Sequence, residues 1–225
     1  MHPLDRPVWA TLTTYHAPLA EGNALARRFV RDVNVFAATR DESPEAFAAL
    51  AELVRPGESI FIAQVASVVV PPGFVKVKEA VGVQMVATRG TAFEAATDGI
   101  LTLSDADAPE MLALATLTEP GPFLPRTNTM GTFRGIRIDG RLAAMAGERM
   151  RLPGYTEVSA VCTHPDFRGR GLARRLSALV AANIVARGDQ PFLHAWKTNH
   201  AAISLYAALG FEHRTDVNIV VLKRI

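Results

Sequence analysis

Val161-Cys162-Thr163-His164-Pro165-Asp166-Phe167-Arg168-Gly169-Arg170-Gly171-Leu172-Ala173-Arg174 decides how this sequence is read. An apolar stretch, residues 157–163, runs through a short turn into a segment with helical spacing of leucines. A helix start leaves its first backbone N–H groups unpaired and carries the positive end of the macrodipole, so it attracts a bound phosphate. Glycines at 169 and 171 would remove Cβ atoms that hold an anion away from those groups. Two familiar phosphate loops fail here. A Walker loop needs Gly-Lys-Ser/Thr, which does not follow Gly171, and the dinucleotide loop needs a small residue where Arg174 stands. What remains is Arg-x-x-Gly-x-Ala at Arg168, Gly171 and Ala173, directly after a strand.

Working outward, residues 98–225 alternate regularly. A strand at 100–103 precedes a helix opened by Pro109 and burying Met111, Leu114 and Leu117. A Pro/Gly-rich connection, 119–131, leads to a strand at 132–138. Asp139-Gly140 then marks a tight hairpin, with the chain returning along 142–150. After the strand at 157–163 and the phosphate loop, Leu172, Leu176, Leu179, Val180 and Ile184 form a helix face ending at Gly188. A strand at 192–196, a short helix at 199–209 and two closing strands, 211–214 and 217–223, complete the chain.

A second block, Asn199-His200-Ala201-Ala202-Ile203-Ser204-Leu205-Tyr206-Ala207-Ala208-Leu209-Gly210-Phe211, lies well downstream of the first. Together the two blocks and the order of elements resemble the GCN5-related N-acetyltransferase (GNAT) superfamily. The resemblance covers roughly residues 96–225. It implies a mixed α/β (α+β) fold, a mostly antiparallel sheet flanked by helices, and an enzyme that moves an acetyl group from acetyl-CoA to an amine. Cofactor contacts are implied at Val161, Cys162, Thr163, Arg168, Gly169, Arg170, Gly171, Leu172, Ala173, Arg174, Asn199 and Ser204, through backbone groups in the strand and loop. Arg175 reads as solvated.

Acyl transfer from a thioester to a lysine-like amine must remove a proton from a group with pKa about 10 and protonate a thiolate with pKa about 8.5. The resemblance implies Tyr206 as the acid that protonates the sulfur; the alternative is a core aromatic at helical spacing from Ile203. It implies Glu157, eleven residues before Arg168, as the base, its pKa raised by partial burial. The alternative for Glu157 is an ion pair with Arg149 or Arg151 across the hairpin. A nucleophilic role for Cys162 is not expected, because no histidine or basic partner is placed beside it in sequence. The histidines at 164, 194, 200 and 213 lack metal-ligand spacing and read as structural, and no metal is expected.

Residues 1–95 carry no such motif. A strand at 8–15 and a short helix at 20–29 are the expectations for the start. Ser43-Pro44-Glu45 then opens a clear helix presenting Phe47, Leu50, Leu53 and Val54 and stopping near Pro56-Gly57. Strands follow at 60–62, 65–70, 74–78 and 81–88, so a separate small α/β unit over 1–95 and a catalytic domain over 96–225 are expected, joined by a linker at 89–98. The resemblance suggests a degenerate second half, as in glycine N-acyltransferase-like proteins, covering the acceptor face.

Composition narrows the partners. The net charge of +2 and scattered basic residues, with lysines only at 76, 78, 197 and 223, give no basic patch for nucleic acid or a membrane surface. The apolar run at 59–70 is too short to span a bilayer, and no charged-then-apolar leader opens the chain, so a cytoplasmic protein is expected. One cysteine allows no internal disulfide. The expected acceptor is a small-molecule amine or an amino acid, with a homodimer as one assembly. A protein N-terminus or lysine, or a non-catalytic acyl-CoA sensor, is the alternative. The resemblance implies residues 119–130 and 214–218 as the acceptor walls.

Overall fold

The computed structural model of the chain describes residues 2–225. Its start departs from expectation. Pro7 opens a helix, α1 (Pro7–Leu12), where a strand was expected. Proline pre-sets the first helical φ, and Leu4, Val8 and Leu12, spaced four apart, are all buried on one side. That tertiary burial outweighs the strand preference of Val8 and Thr11. The expected helix at 20–29 is instead a hairpin of β1 (Ala20–Gly22) and β2 (Ala26–Phe29), joined by β3 (Ala37–Thr39) in a small antiparallel sheet. Asn23 turns the chain there, its Oδ1 accepting from the Leu25 and Ala26 N–H groups at 2.8 and 3.2 Å. The helix α2 (Pro44–Leu53) forms as expected, with the Ser43 hydroxyl capping the Ala46 N–H.

The remaining strands make one sheet of eight among the described residues. They are β4 (Ser59–Gln64), β5 (Phe74–Ala87), β6 (Ile100–Leu103), β7 (Phe133–Ile138), β8 (Arg141–Leu152), β9 (Tyr155–Thr163), β10 (Gln190–Trp196) and β11 (Phe211–Arg224). Their spatial order is β4-β11-β5-β10-β9-β8-β7-β6. Only β9 and β10 run parallel; every other pair is antiparallel. The mostly antiparallel mixed fold is therefore as expected. Asp139 and Gly140 take the positive φ values of 51° and 76° that the tight β7–β8 hairpin requires.

Helices cover both faces. On one, α4 (Leu172–Ala186) packs Leu172, Leu176, Val180 and Ile184 against Val83, Met85, Ala144, Val158 and Leu193. On the other, α3 (Ala108–Thr118) packs Met111 and Leu114 against Phe133, Leu142 and Met145, while α1 lies over Met150, Leu152, Phe192 and Val217. Leu117, expected in the core, is exposed, because the buried stripe runs through Ala115 instead.

The division at residue 95 is overturned. The strands expected at 74–78 and 81–88 are one, β5, and the two closing strands are also one, β11. β5 lies between β10 and β11, pairing from Phe211 opposite Ala87 to Arg224 opposite Phe74. Its Val83, Met85 and Ala87 sit in the same core as Leu176 of α4. Residues 1–95 thus have no separate sheet of the expected kind and are not a second copy of the fold. The segment read as a linker carries the chain from the middle of the sheet to its far edge at β6. No helix among the described residues is long and apolar enough to cross a membrane.

Candidate active site

β9 and β10 pair only over Tyr155, Thr156 and Glu157 opposite Gln190, Pro191 and Phe192. Beyond that point β10 follows β5 while β9 follows β8, and the two strands part. Parting strands leave a wedge with unpaired backbone edges, which an extended amide-bearing ligand can fill. The wedge is a cavity of about 300 Å³, with residues 158–163 on one wall and residues 194–196 on the other. Ala160 has a φ of 51°, and the β8–β9 register slips between Met145 and Gly147, so β9 bulges within this wall. A bulge takes a peptide group out of its ladder and re-aims it.

Tyr206, on α5 (His200–Ala207), lines the cavity and is 8% exposed. Burial, reinforced by the neighbouring Cys162 and Glu157, pushes its pKa above the ordinary value, so the hydroxyl stays protonated. The Asn199 side chain accepts from the Ala202 N–H at 3.1 Å, capping α5 at the cavity wall.

The cavity continues into a shallow basin over the glycine loop, sharing Thr163, Arg168, Ala173, Asn199 and Ala202 with it. Gly169 and Gly171 have φ values of 76° and 72°, and a Cβ on either would meet no protein atom within 4 Å. Glycine is thus required here by backbone conformation, with the space above the loop left open. The amides of residues 169–174 donate to no backbone acceptor, and no side chain caps α4. The exposed Arg168, Arg170 and Arg174 surround them. Arg175 is not simply solvated, since its Nη2 donates to the Asp98 carbonyl at 2.6 Å.

Residues 133–220 match the family described as FR47-like protein. A 128-residue stretch, 53% of this chain, is 31% identical to the N-alpha-acetyltransferase RimI of Mycobacterium tuberculosis and covers 80% of it. A GNAT-family protein from Novosphingobium aromaticivorans superposes over the full length of both chains, with a TM-score of 0.93 and 43% identity. This chain belongs to the GNAT superfamily. The GCN5-related N-acetyltransferase of Kribbella flavida shares the fold, with a TM-score of 0.66, 19% identity and coverage of 100% and 96%. Both structural likenesses include the N-terminal 95 residues.

Within this GNAT acetyltransferase fold, Glu157 is not the partly buried base with a raised pKa that was expected. Its side chain is fully buried and lines no cavity. Arg149 donates from Nε at 2.9 Å and from Nη2 at 2.7 Å, and His194 Nδ1 lies 2.8 Å from the same carboxylate. Burial alone would raise its pKa, but the Arg149 charge and the bonds from Arg149 and His194 outweigh that and hold it at about 2. The alternative reading, an ion pair across the hairpin, is the arrangement found, with Arg149 as partner. Arg151 pairs with Asp189 instead.

Cys162 lies in the cavity wall, its thiol pushed up to about 11 by burial. Val161 and Thr163 share that wall. Ser204 is exposed on α5 and lines neither cavity nor basin, because its position on the helix lies two residues before Tyr206 on a different face. Of the expected acceptor walls, residues 119–122 line the cavity but 214–218 do not; Ile219, just beyond them on β11, does, and Arg214 is taken up in a half-buried polar chain with Gln84 and Asp5. Phe36 and Phe61, from the N-terminal 95 residues, complete the wall of the cavity. Neither belongs to a motif. His194 was read only as structural, although it flanks Glu157 from one neighbouring strand as Arg149 does from the other.

Proposed function

We propose that this protein transfers an acetyl group from acetyl-CoA to the primary amine of a small molecule by direct attack. The observation that carries this reading is the continuity of the β9–β10 wedge with the six unpaired amides of residues 169–174. That shape suits a long ligand with amides in one arm and a diphosphate at its far end, and bound acetyl-CoA supplies the activated acyl group. The loop amides and Arg170 hold the diphosphate, as unpaired N–H groups at a helix start do. The open edge of β9 at Val161, Cys162 and Thr163 holds the arm in the manner of an added strand. Tyr206 gives its hydroxyl proton to the departing sulfur. Glu119, the carboxylate that lines the cavity, receives the proton that the amine loses. The residues 119–122 with Phe36 and Phe61 narrow the acceptor end, which suits a small amine.

A second reading, acetylation of a protein α-amine, is favoured by the likeness to a RimI N-alpha-acetyltransferase. Thiol release from acetyl-CoA across amines, amino acids and short peptides separates the two. Release with small amines supports the proposal, release with peptides alone supports the second reading, and no release with any acceptor overturns both. Gly171→Asp, which puts a carboxylate into the amide cradle, serves as the negative control.

A further inference from the structure

The acceptor end of the cavity contains an arginine whose donors are only partly used. Arg149 on β8 spends Nε and one N–H of Nη2 on Glu157. Its guanidinium plane lies over the Phe36 ring, 5.2 Å from the centroid. Nη1 faces Gly121, 3.8 Å from where a Cβ on that residue would sit, and makes no hydrogen bond within the described residues. The side chain is 11% exposed. That exposure opens onto two adjoining cavities, each lined by Arg149, Ser159 and residues 120–122.

Glu157 is itself fixed. His194 bridges it to Gln84, Gln84 accepts from Arg214, and Arg214 pairs with Asp5. The fork of Arg149 is therefore held in one orientation before any ligand arrives, with its remaining N–H groups aimed at the acceptor space. A planar guanidinium with free donors in a poorly solvated wall recognises a carboxylate strongly. The apolar part of the wall, the edge-to-face pair of Phe36 and Phe61 with centroids 5.9 Å apart and Ile219, suits an aliphatic or aromatic side chain.

We propose that Arg149, with Ser159 lining the same two cavities, binds the carboxylate of the acceptor, so that the preferred substrate is an apolar amino acid. This inference rests on the acetyl-transfer reading above and specifies its acceptor.

The test compares phenylalanine with its two carboxylate-free analogues, phenylalaninamide and phenethylamine, by thiol release from acetyl-CoA. The wild type is expected to show a kcat/KM for phenylalanine at least about tenfold above either analogue, as the loss of a charged hydrogen bond requires. Arg149→Lys keeps a cation beside Glu157 but loses the fork; it should raise KM for phenylalanine and bring the ratio close to one. Ser159→Ala leaves the ion pair intact and should narrow the ratio several-fold. Circular dichroism checks that each variant is folded, and if Arg149→Lys does not fold, Ser159→Ala and the wild-type ratio decide. Equal kcat/KM for all three acceptors in the wild type, or a preference that no folded variant narrows, overturns the inference. Turnover of the two analogues without preference leaves acetyl transfer to small amines standing. Turnover of peptides alone removes the small-amine reading together with this inference.

Discussion

His194 lies with Nδ1 2.8 Å from Glu157 and Nε2 3.0 Å from the Gln84 amide nitrogen. Because Gln84 Oε1 accepts from Arg214, the Gln84 nitrogen must be the donor, so His194 Nε2 accepts and Nδ1 carries the proton. A neutral imidazole thereby joins the ion pair at the cavity wall to the interior of the sheet.

The first prediction concerns Glu157. Replacing it by Gln leaves Arg149 uncompensated in a buried setting and should lower stability at pH 7 by about 3–5 kcal/mol. The folded pKa, about 2, lies below the ordinary value of 4.5. The stabilisation from this group is then complete above about 4.5 and disappears as pH falls toward 2. Urea unfolding should show wild type and Glu157→Gln far apart at pH 7 and drawing together only as the pH approaches 2. A gap that is independent of pH would contradict the ion pair.

Tyr206→Phe removes the proposed acid without changing the packing against Phe211, whose ring lies 6.0 Å away. A positioned acid contributes about 10²–10⁴-fold, so kcat should drop by at least about a hundredfold while the KM for acetyl-CoA changes little. Since burial raises the pKa of this hydroxyl, the wild-type rate should not decline between pH 7 and 9 through its ionisation. An unaltered kcat would assign Tyr206 to the core alone.

The loop glycines predict a split between fold and ligand. Gly171→Ala places a Cβ in open space but on a left-handed residue, at a strain of about 1 kcal/mol. Gly171→Asp adds a negative charge beside the unpaired amides. Calorimetry with coenzyme A should show the Asp variant binding at least about tenfold more weakly than the Ala variant, an effect of about 1.4 kcal/mol, with melting temperatures close together.

Cys162 should be inert. With its pKa pushed up to about 11, its thiolate fraction at pH 8 is about one in a thousand. Native protein should react with a disulfide reagent far more slowly than urea-unfolded protein, and Cys162→Ser should retain acetyl transfer.

The placement of β5 predicts that residues 96–225 cannot be expressed alone as a folded domain. Such a fragment lacks the strand between β10 and β11 and bares Leu193 and Phe211, both buried in the whole chain. It should be insoluble or molten by circular dichroism and amide exchange. A cooperative unfolding transition would contradict this.

What could be read in advance follows the range of the interactions. Helix starts at Ser43-Pro44, the Asp139-Gly140 hairpin and the Gly169–Gly171 loop depend on neighbours a few residues away, and their residue types specify them. The insertion of β5 depends on pairing residues more than a hundred positions apart, and alternating valines carry no label for the partner strand. Glu157 illustrates the same limit within the site. Its position in the sequence is informative, but its charge state is decided by Arg149 and His194 from strands on either side. Phe36 and Phe61 belong to the cavity only because the first 95 residues fold back over it.

Threading residues 74–87 between the last two strands also imposes an order on biosynthesis. The segment leaves the ribosome more than a hundred residues before β10 and β11, so during translation both of its hydrogen-bonding edges stand empty, with Val83, Met85 and Ala87, buried in the finished fold, in the open. Long-range pairing of this type is slow and exposes the nascent chain to aggregation. Yield in cells should accordingly respond to growth temperature and to the supply of chaperones that shield unpaired strands.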